Sequence, residues 1–157
     1  MKRSDRILNE VKLSFPSRSE NESFARMAIS GFVSQLDPQI DELSDIKTAV
    51  SEAVTNCIVH GYKNTLGIVT MTARLLVDNE VYIKITDKGC GIEDIEAAMT
   101  PLYTSAPDQD RAGLGFTIME SFMDSLSVKS KPGKGTSVTM RKKLTTRKAS
   151  DENRRKA

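Results

Sequence analysis

The segment from Asp41 to His60 constrains the chain more than any other. Leu43, Ile46, Val50, Ala53, Val54 and Cys57 recur at three- and four-residue spacing, the period of a helix with one apolar side. Asp41 is expected to cap its start and Gly61 to stop it in a left-handed conformation. At about 100° per residue, Glu52 and Asn56 lie roughly 40° apart, on the side opposite the stripe. As i, i+4 neighbours they aim a carboxylate and an amide oxygen at one point. A solvated polar face has the same pattern, so the rest of the chain must decide between the two.

Around this helix the hydrophobic period changes several times. Val11, Leu13 and Phe15 alternate with polar residues, which predicts a short strand ended by Pro16. Ser19-Glu20-Asn21-Glu22 has the S-x-x-E form of a capping box. It predicts a helix to about Leu36, with Phe24, Met27, Ala28, Phe32 and Leu36 inward and Glu22, Arg26 and Ser30 outward. From Gly67 to Asp87, two β-rich runs flank Asp78-Asn79 and predict a hairpin. A short helix is expected near Glu93 to Met99. Gly113-Leu114-Gly115 then opens another, followed by a second hairpin that turns at Lys131 to Gly135. Between them, residues 101–112 hold two prolines and few apolar groups, the composition of a functional or mobile loop.

Composition sets outer bounds. With 157 residues, 28% charged and 38% hydrophobic, one soluble domain with a real core is expected. Residues 141–157 carry eight Lys or Arg against two acids, and residues 1–140 carry fifteen against nineteen. The basic excess belongs to the tail, so no direct nucleic-acid binding is expected of the folded body. No apolar run approaches 18 residues, and polar residues follow Met1-Lys2-Arg3. Neither a membrane span nor a signal peptide is expected. Cys57 and Cys90 fit no metal-ligand spacing, and the expectation is a cytoplasmic protein with free thiols.

Glycines near phosphates have several known patterns. Gly133-Lys134-Gly135-Thr136 fails the P-loop pattern and lies in a hairpin turn. Gly89-Cys90-Gly91 follows a strand but lacks the third glycine of a dinucleotide fingerprint. What remains is an ordered set: Glu52 and Asn56 on a helix, Asp87-x-Gly89-x-Gly91 after a strand, a long loop, Gly113-x-Gly115 at a helix start, then Gly135-Thr136. A strand-end Asp accepts a hydrogen bond from an exocyclic amine such as that of adenine. Gly89 and Gly91 permit close backbone approach to a flat base. Asn56 offers an oxygen to Mg²⁺. The backbone of Gly113, Leu114 and Gly115 presents N–H groups to an anion, and Arg111 adds charge for a terminal phosphate.

These motifs resemble the N, G1 and G2 boxes of the GHKL ATP-binding superfamily, the family of gyrase, Hsp90, histidine kinases and MutL. The match spans about residues 10–143. Within it, Ser19-Glu-Asn-Glu-Ser-Phe-Ala-Arg26, Ser51-Glu-Ala-Val-Thr-Asn56 and Gly115-Phe-Thr-Ile-Met-Glu120 are similar to the bacterial anti-sigma-factor serine kinases. The resemblance implies an α/β two-layer sandwich of the Bergerat type, with helices on one face of a mixed, mostly antiparallel sheet. It implies residues 1–9 as a flexible N-terminus, residues 101–112 as an ATP lid and residues 144–157 as a basic, disordered tail. It implies ATP and Mg²⁺, and a homodimer. The partners implied are a sporulation sigma factor of the sigma-F type and an anti-anti-sigma factor phosphorylated on serine. Carried over by position, Glu52 is the base and Asn56 the Mg²⁺ ligand. Asp87 reads adenine beside Thr136, while Arg111 and Gly113 to Gly115 hold phosphates. Glu22 and Arg26 face partners, although Arg26 also fits a solvated helix charge. Two rival activities stay open: an ATP-gated binding module in which Glu52 is idle, and an ATPase in which it activates water.

Overall fold

The computed structural model describes residues 5–63, 65–100, 114–145 and 155–156. The proposed lid at 101–112, with Arg111, as well as Gly113 and most of the tail, lie outside the described residues. Among the described residues, five strands form one sheet in the order β1-β2-β3-β5-β4: β1 Ile7–Pro16, β2 Ile68–Leu76, β3 Glu80–Asp87, β4 Ser125–Lys131 and β5 Gly135–Lys143. All four of these pairings are antiparallel. Among the same residues, four α-helices accompany the sheet: α1 Glu20–Val33, α2 Ile40–Asn56, α3 Ile95–Met99 and α4 Gly115–Phe122.

Strict alternation decides which face of the sheet is buried. Met71, Ile85 and Val138 stand side by side across β2, β3 and β5, and Ala73, Ile83 and Met140 form the next row. All six are buried under the helices. Their neighbours along each strand, including Thr72, Lys84 and Thr139, occupy the other face. There the Tyr82 ring lies between the guanidinium groups of Arg74 and Arg141, at 5.0 and 5.5 Å. Both hairpins form as their sequences predict, and Asp78 and Asn79 take the left-handed conformation at the first turn.

Several local expectations are corrected. β1 begins at Ile7, because Ile7 and Asn9 pair with Leu76 and Leu75 across a register shift; the strand therefore takes in residues expected to fray. Leu144, expected to begin the tail, is buried, and its N–H donates to Asn79 O at 2.8 Å. The Ser19 side chain makes no cap bond. At α2 the cap is Gln39 rather than Asp41. Gln39 and Glu42 form a reciprocal capping box, and the second oxygen of Glu42 accepts the Thr145 N–H at 2.8 Å.

Helix α1 buries Ala25, Ile29 and Val33, a stripe rotated from the expected one. Phe24 and Met27 are exposed, at 50% and 72%, while Ala28, Phe32 and Leu36 pack only partly against the core. Arg26, expected on the free face, is partly buried and lies 3.8 Å from Glu22.

Ile83 lies in the central strand with no exposed surface. Ile83→Ala should lower unfolding free energy by about 2–5 kcal/mol. Urea unfolding with an unchanged slope is the check; a loss under about 1 kcal/mol would contradict this placement of the core.

Candidate nucleotide site

Helix α2 presents its apolar stripe to the sheet: Ile46, Ala49, Val50, Ala53 and Val54 are buried. The opposite side is not solvated. It packs against α4, and Glu52 is only 7% exposed. A Cβ placed on Gly115, at the start of α4, would stand 3.1 Å from both terminal atoms of Asn56 and 3.4 Å from Glu52 Oε2. Thus a carboxylate, an amide and the N-terminus of a helix converge, as the i, i+4 spacing requires.

Past Asn56 the helix does not stop at a left-handed glycine. Cys57–Gly61 forms a π-type turn in which the Tyr62 N–H bonds to Cys57 O at 2.9 Å. Such widened turns concentrate at functional sites. This one brings Gly61 against the end of β3, where a Cβ would lie 3.0 Å from the Asp87 carboxylate. Gly61 is therefore needed for close approach, and it does not have positive φ.

Asp87 is only 4% exposed. Its Oδ1 accepts the Gly89 N–H at 2.9 Å. Burial raises its pKa above the usual aspartate value, and the Gly89 N–H, the Cys57 thiol and the Thr136 backbone counter that rise. Burial likewise pushes the Cys57 thiol well above its usual value, with the Asp87 charge adding to the effect. Cys57 therefore stays protonated and able to donate. The loop after Asp87 is held by short contacts. The Cys90 N–H donates to Gly61 O at 2.9 Å, and the Gly133 N–H to Cys90 O at 2.7 Å. Tyr62 accepts the Lys88 N–H at 2.8 Å and donates to Ile68 O at 2.6 Å. A Cβ on Gly89 or on Gly91 would fall 2.1 Å from a backbone oxygen, and Gly91 has φ +75°, so only glycine fits there.

A cavity of about 380 Å³ opens among these parts. Asn56, Asp87, Gly91, Gly115 and Thr136 line it, as the sequence predicts. Thr136 is the register partner of Asp87, and its hydroxyl lies 2.9 Å from Ser130 Oγ. Gly89 does not line the cavity and packs against Gly61 O. Leu114 caps α4 and does not line the cavity; Glu22 and Arg26 stand apart on α1. Arg111 and Gly113 lie outside the described residues.

The sequence had left unassigned several wall residues: Cys57, Ile92, Phe116 and Val138. Their apolar character suits a flat base, but periodicity reads it as ordinary core. His60, near the end of the π-type turn, also lines the cavity. Burial and the nearby Lys63 hold its pKa below the usual imidazole value. Among the described residues, no cluster of three or more His, Cys, Asp or Glu is placed to cage a metal. Asn56, beside the start of α4, would offer Mg²⁺ a single amide oxygen, leaving its other positions to phosphate and water.

The model described as the histidine kinase-like ATPase domain matches residues 15–142. A protein of Caldanaerobacter subterraneus subsp. tengcongensis named Anti-sigma F factor is 57% identical over 134 residues, covering 85% of this chain and 93% of its own length. A protein of the same name from Clostridium acetobutylicum is 56% identical over 136 residues, covering 87% and 94%. Among solved structures, the RsbU and RsbW domains of Rv1364c from Mycobacterium tuberculosis match with a TM-score of 0.64 at 18% identity. That match covers 87% of this chain but 32% of the other, so this chain spans about a third of that structure, and the likeness is one of fold. No described helix is long and apolar enough to cross a membrane.

Two outcomes follow from this geometry. Gly115→Ala should leave the fold intact, because Ala favours a helix. It should nevertheless weaken Mg·ATP binding by about tenfold or more, since the new methyl displaces Asn56. Calorimetric titration decides it, and unchanged affinity would separate Asn56 from the nucleotide. For His60, a native pKa below the unfolded value of 6.5 means the unfolded chain takes up the proton first. Stability present above about pH 6.5 should then decline as pH falls toward the native value. His60→Gln should flatten that part of the pH–stability curve in chemical unfolding; an unaltered slope would contradict it.

Proposed function

Since the chain belongs to the histidine kinase-like ATPase domain family, we propose that it is an anti-sigma factor and an ATP-dependent protein-serine kinase. It binds and inhibits a sporulation sigma factor of the sigma-F type. It phosphorylates a serine on an anti-anti-sigma partner. The relatives at 56–57% identity, both named Anti-sigma F factor, support the first activity. The observation that carries the second is the convergence of Glu52 on Gly115 together with Asn56, the latter two lining the cavity while Glu52 stands beside them. Glu52 is buried one turn from Asn56, the spacing that a base acting beside a metal-bound phosphate requires, and this supports transfer over mere binding.

In this reading Asp87 accepts the adenine amine, and Gly91 and Thr136 border the base. Asn56 would hold Mg²⁺, which neutralises phosphate charge when bound. Backbone N–H groups from Gly113, Leu114 and Gly115 receive the phosphates at the start of α4. Arg111, outside the described residues, is assigned to the terminal phosphate by its place in the sequence alone. Glu52 orients the incoming serine hydroxyl and takes its proton. The serine oxygen forms a bond to the γ-phosphorus as the bond to the bridging oxygen breaks, and ADP leaves.

Glu22 and Arg26 on α1 belong to the partner face. A homodimer would cover the open sheet edge, where β1 exposes Ile7, Leu8 and Val11. Such a chain works in the cytoplasm, where sigma factors meet their polymerase.

Glu52→Gln keeps the side chain's shape and removes its charge. Serine phosphorylation should fall by ~10²–10⁴-fold, the usual contribution of a general base. Affinity for Mg·ATP and capture of the sigma factor should change little. Labelled-ATP transfer to the anti-anti-sigma partner is the measurement. Transfer near the wild-type rate would remove Glu52 from the chemistry. No transfer by the wild type would leave an ATP-gated clamp.

A further inference from the structure

Ser51 immediately precedes Glu52, and its hydroxyl behaves unlike others on these helices. Ser34 and Thr48 donate back to carbonyls four residues earlier, at 2.6 and 2.9 Å, the usual outlet for a helical hydroxyl. Ser51 instead donates across to Glu22 Oε1 on α1. The same oxygen lies 3.8 Å from Arg26 Nη1. Glu22 is the residue that the S-x-x-E pattern assigns to a capping box, yet Ser19 makes no side-chain cap. Its side chain is 21% exposed and turned toward α2.

Helix α2 is thereby gripped from two directions. Ser51 ties it to α1, and one residue on, about 100° around the axis, Glu52 meets α4 with Asn56. The buried apolar stripe of α2 fixes its rotation coarsely, and the finer aim of Glu52 needs a restraint close to it. A directional bond from Ser51 supplies that restraint. Rotation matters because a reacting group misplaced by about 1 Å costs roughly 10²-fold in rate.

We propose that Ser51, anchored by Glu22, is a positioning residue: it fixes the rotation of α2 so that Glu52 and Asn56 keep their aim. Because Arg26 shares Glu22, the link begins at the face assigned to partners. This inference rests on the kinase reading for its catalytic readout and has a second readout that does not.

The test uses the full chain as wild type, Ser51→Ala, Ser51→Thr, Glu22→Gln and the Ser51→Ala/Glu22→Gln double variant. Phosphorylation of the anti-anti-sigma partner is followed at saturating partner. Ser51→Ala should lower kcat roughly tenfold with KM for ATP within about twofold of wild type. Ser51→Thr, which keeps the hydroxyl, should restore kcat. The double variant should be no slower than the worse single variant, as expected for two members of one link. In parallel, the Asn56 side-chain amide resonance should shift in Ser51→Ala and return in Ser51→Thr.

An unchanged kcat in Ser51→Ala, losses that multiply in the double variant, or failure of Thr to rescue would each overturn the link. A rise in KM matching the fall in kcat would make Ser51 merely structural. If the wild type transfers no phosphate, the kinase reading fails and the amide resonance alone decides. Unmoved, it overturns the link; moved and rescued by Thr, it supports positioning of α2 in a protein without transfer chemistry.

Discussion

The buried carboxylate of Asp87 is the group on which the rest of the site depends. An ionised carboxyl with 4% exposure is costly unless donors surround it. They come from three places: the Gly89 N–H in its own loop, the Cys57 thiol at the end of α2 and the Thr136 backbone on β5. Each imposes a condition on the fold. The thiol projects toward β3 from the end of α2, where the π-type turn begins. The turn reaches β3 only because Gly61 has no side chain to meet the carboxylate at 3.0 Å. The loop reaches back to the turn only because Gly89 can lie against Gly61 O. One buried acid thus fixes the relative placement of helix, strand and loop, and the cavity is the space left among them.

Much of this was legible in the sequence because the signals were local. The stripe of α2, both hairpins and the Asp87–Gly91 loop follow from spacing of three, four or two residues. Helix α1 shows where such signals stop. Its sequence carries two apolar stripes: Phe24, Ala28, Phe32 and Leu36 on one, and Ala25, Ile29 and Val33 on the other. Both have helical period, and the first holds the larger side chains. The second is the one buried. Close approach of two helices favours small residues at the contact, and that preference depends on α2, which periodicity within α1 cannot see.

The site divides in the same way. Glu52, Asn56, Asp87, Gly91, Gly115 and Thr136 carry chemistry that few other positions need, so their order along the chain reveals them. Ile92, Phe116 and Val138 wall the same cavity with side chains indistinguishable from core. Cys57 has a fully apolar stripe position and yet serves as a donor to Asp87. The π-type turn has no signature at all: it depends on a tertiary contact, and Gly61 reads as an ordinary stop. Glu22 was misread for the converse reason. Its sequence context matched a local cap, and a longer-range bond to Ser51 took precedence over it.

These contacts place three demands on one helix. Along about two turns, α2 offers Ser51 to α1, Glu52 and Asn56 to α4, and Cys57 to β3. A helix held by directional bonds to α1 and β3 and by close packing against α4 has little freedom to shift without disturbing all three. The size of any coupling between the proposed partner face and the nucleotide is then bounded by its weakest link. A hydrogen bond to a charged group contributes about 1.5–3 kcal/mol. That range overlaps the roughly 1–3 kcal/mol, or 5–150-fold, found for coupling between sites in proteins. Larger coupling would need a second route, and the tie between Glu42 and Thr145 at the far end of α2 is too remote from Glu52 to supply it. On the proposed assignment, the Ser51–Glu22 bond is the link whose strength would limit such coupling, more than the apolar area beneath α2.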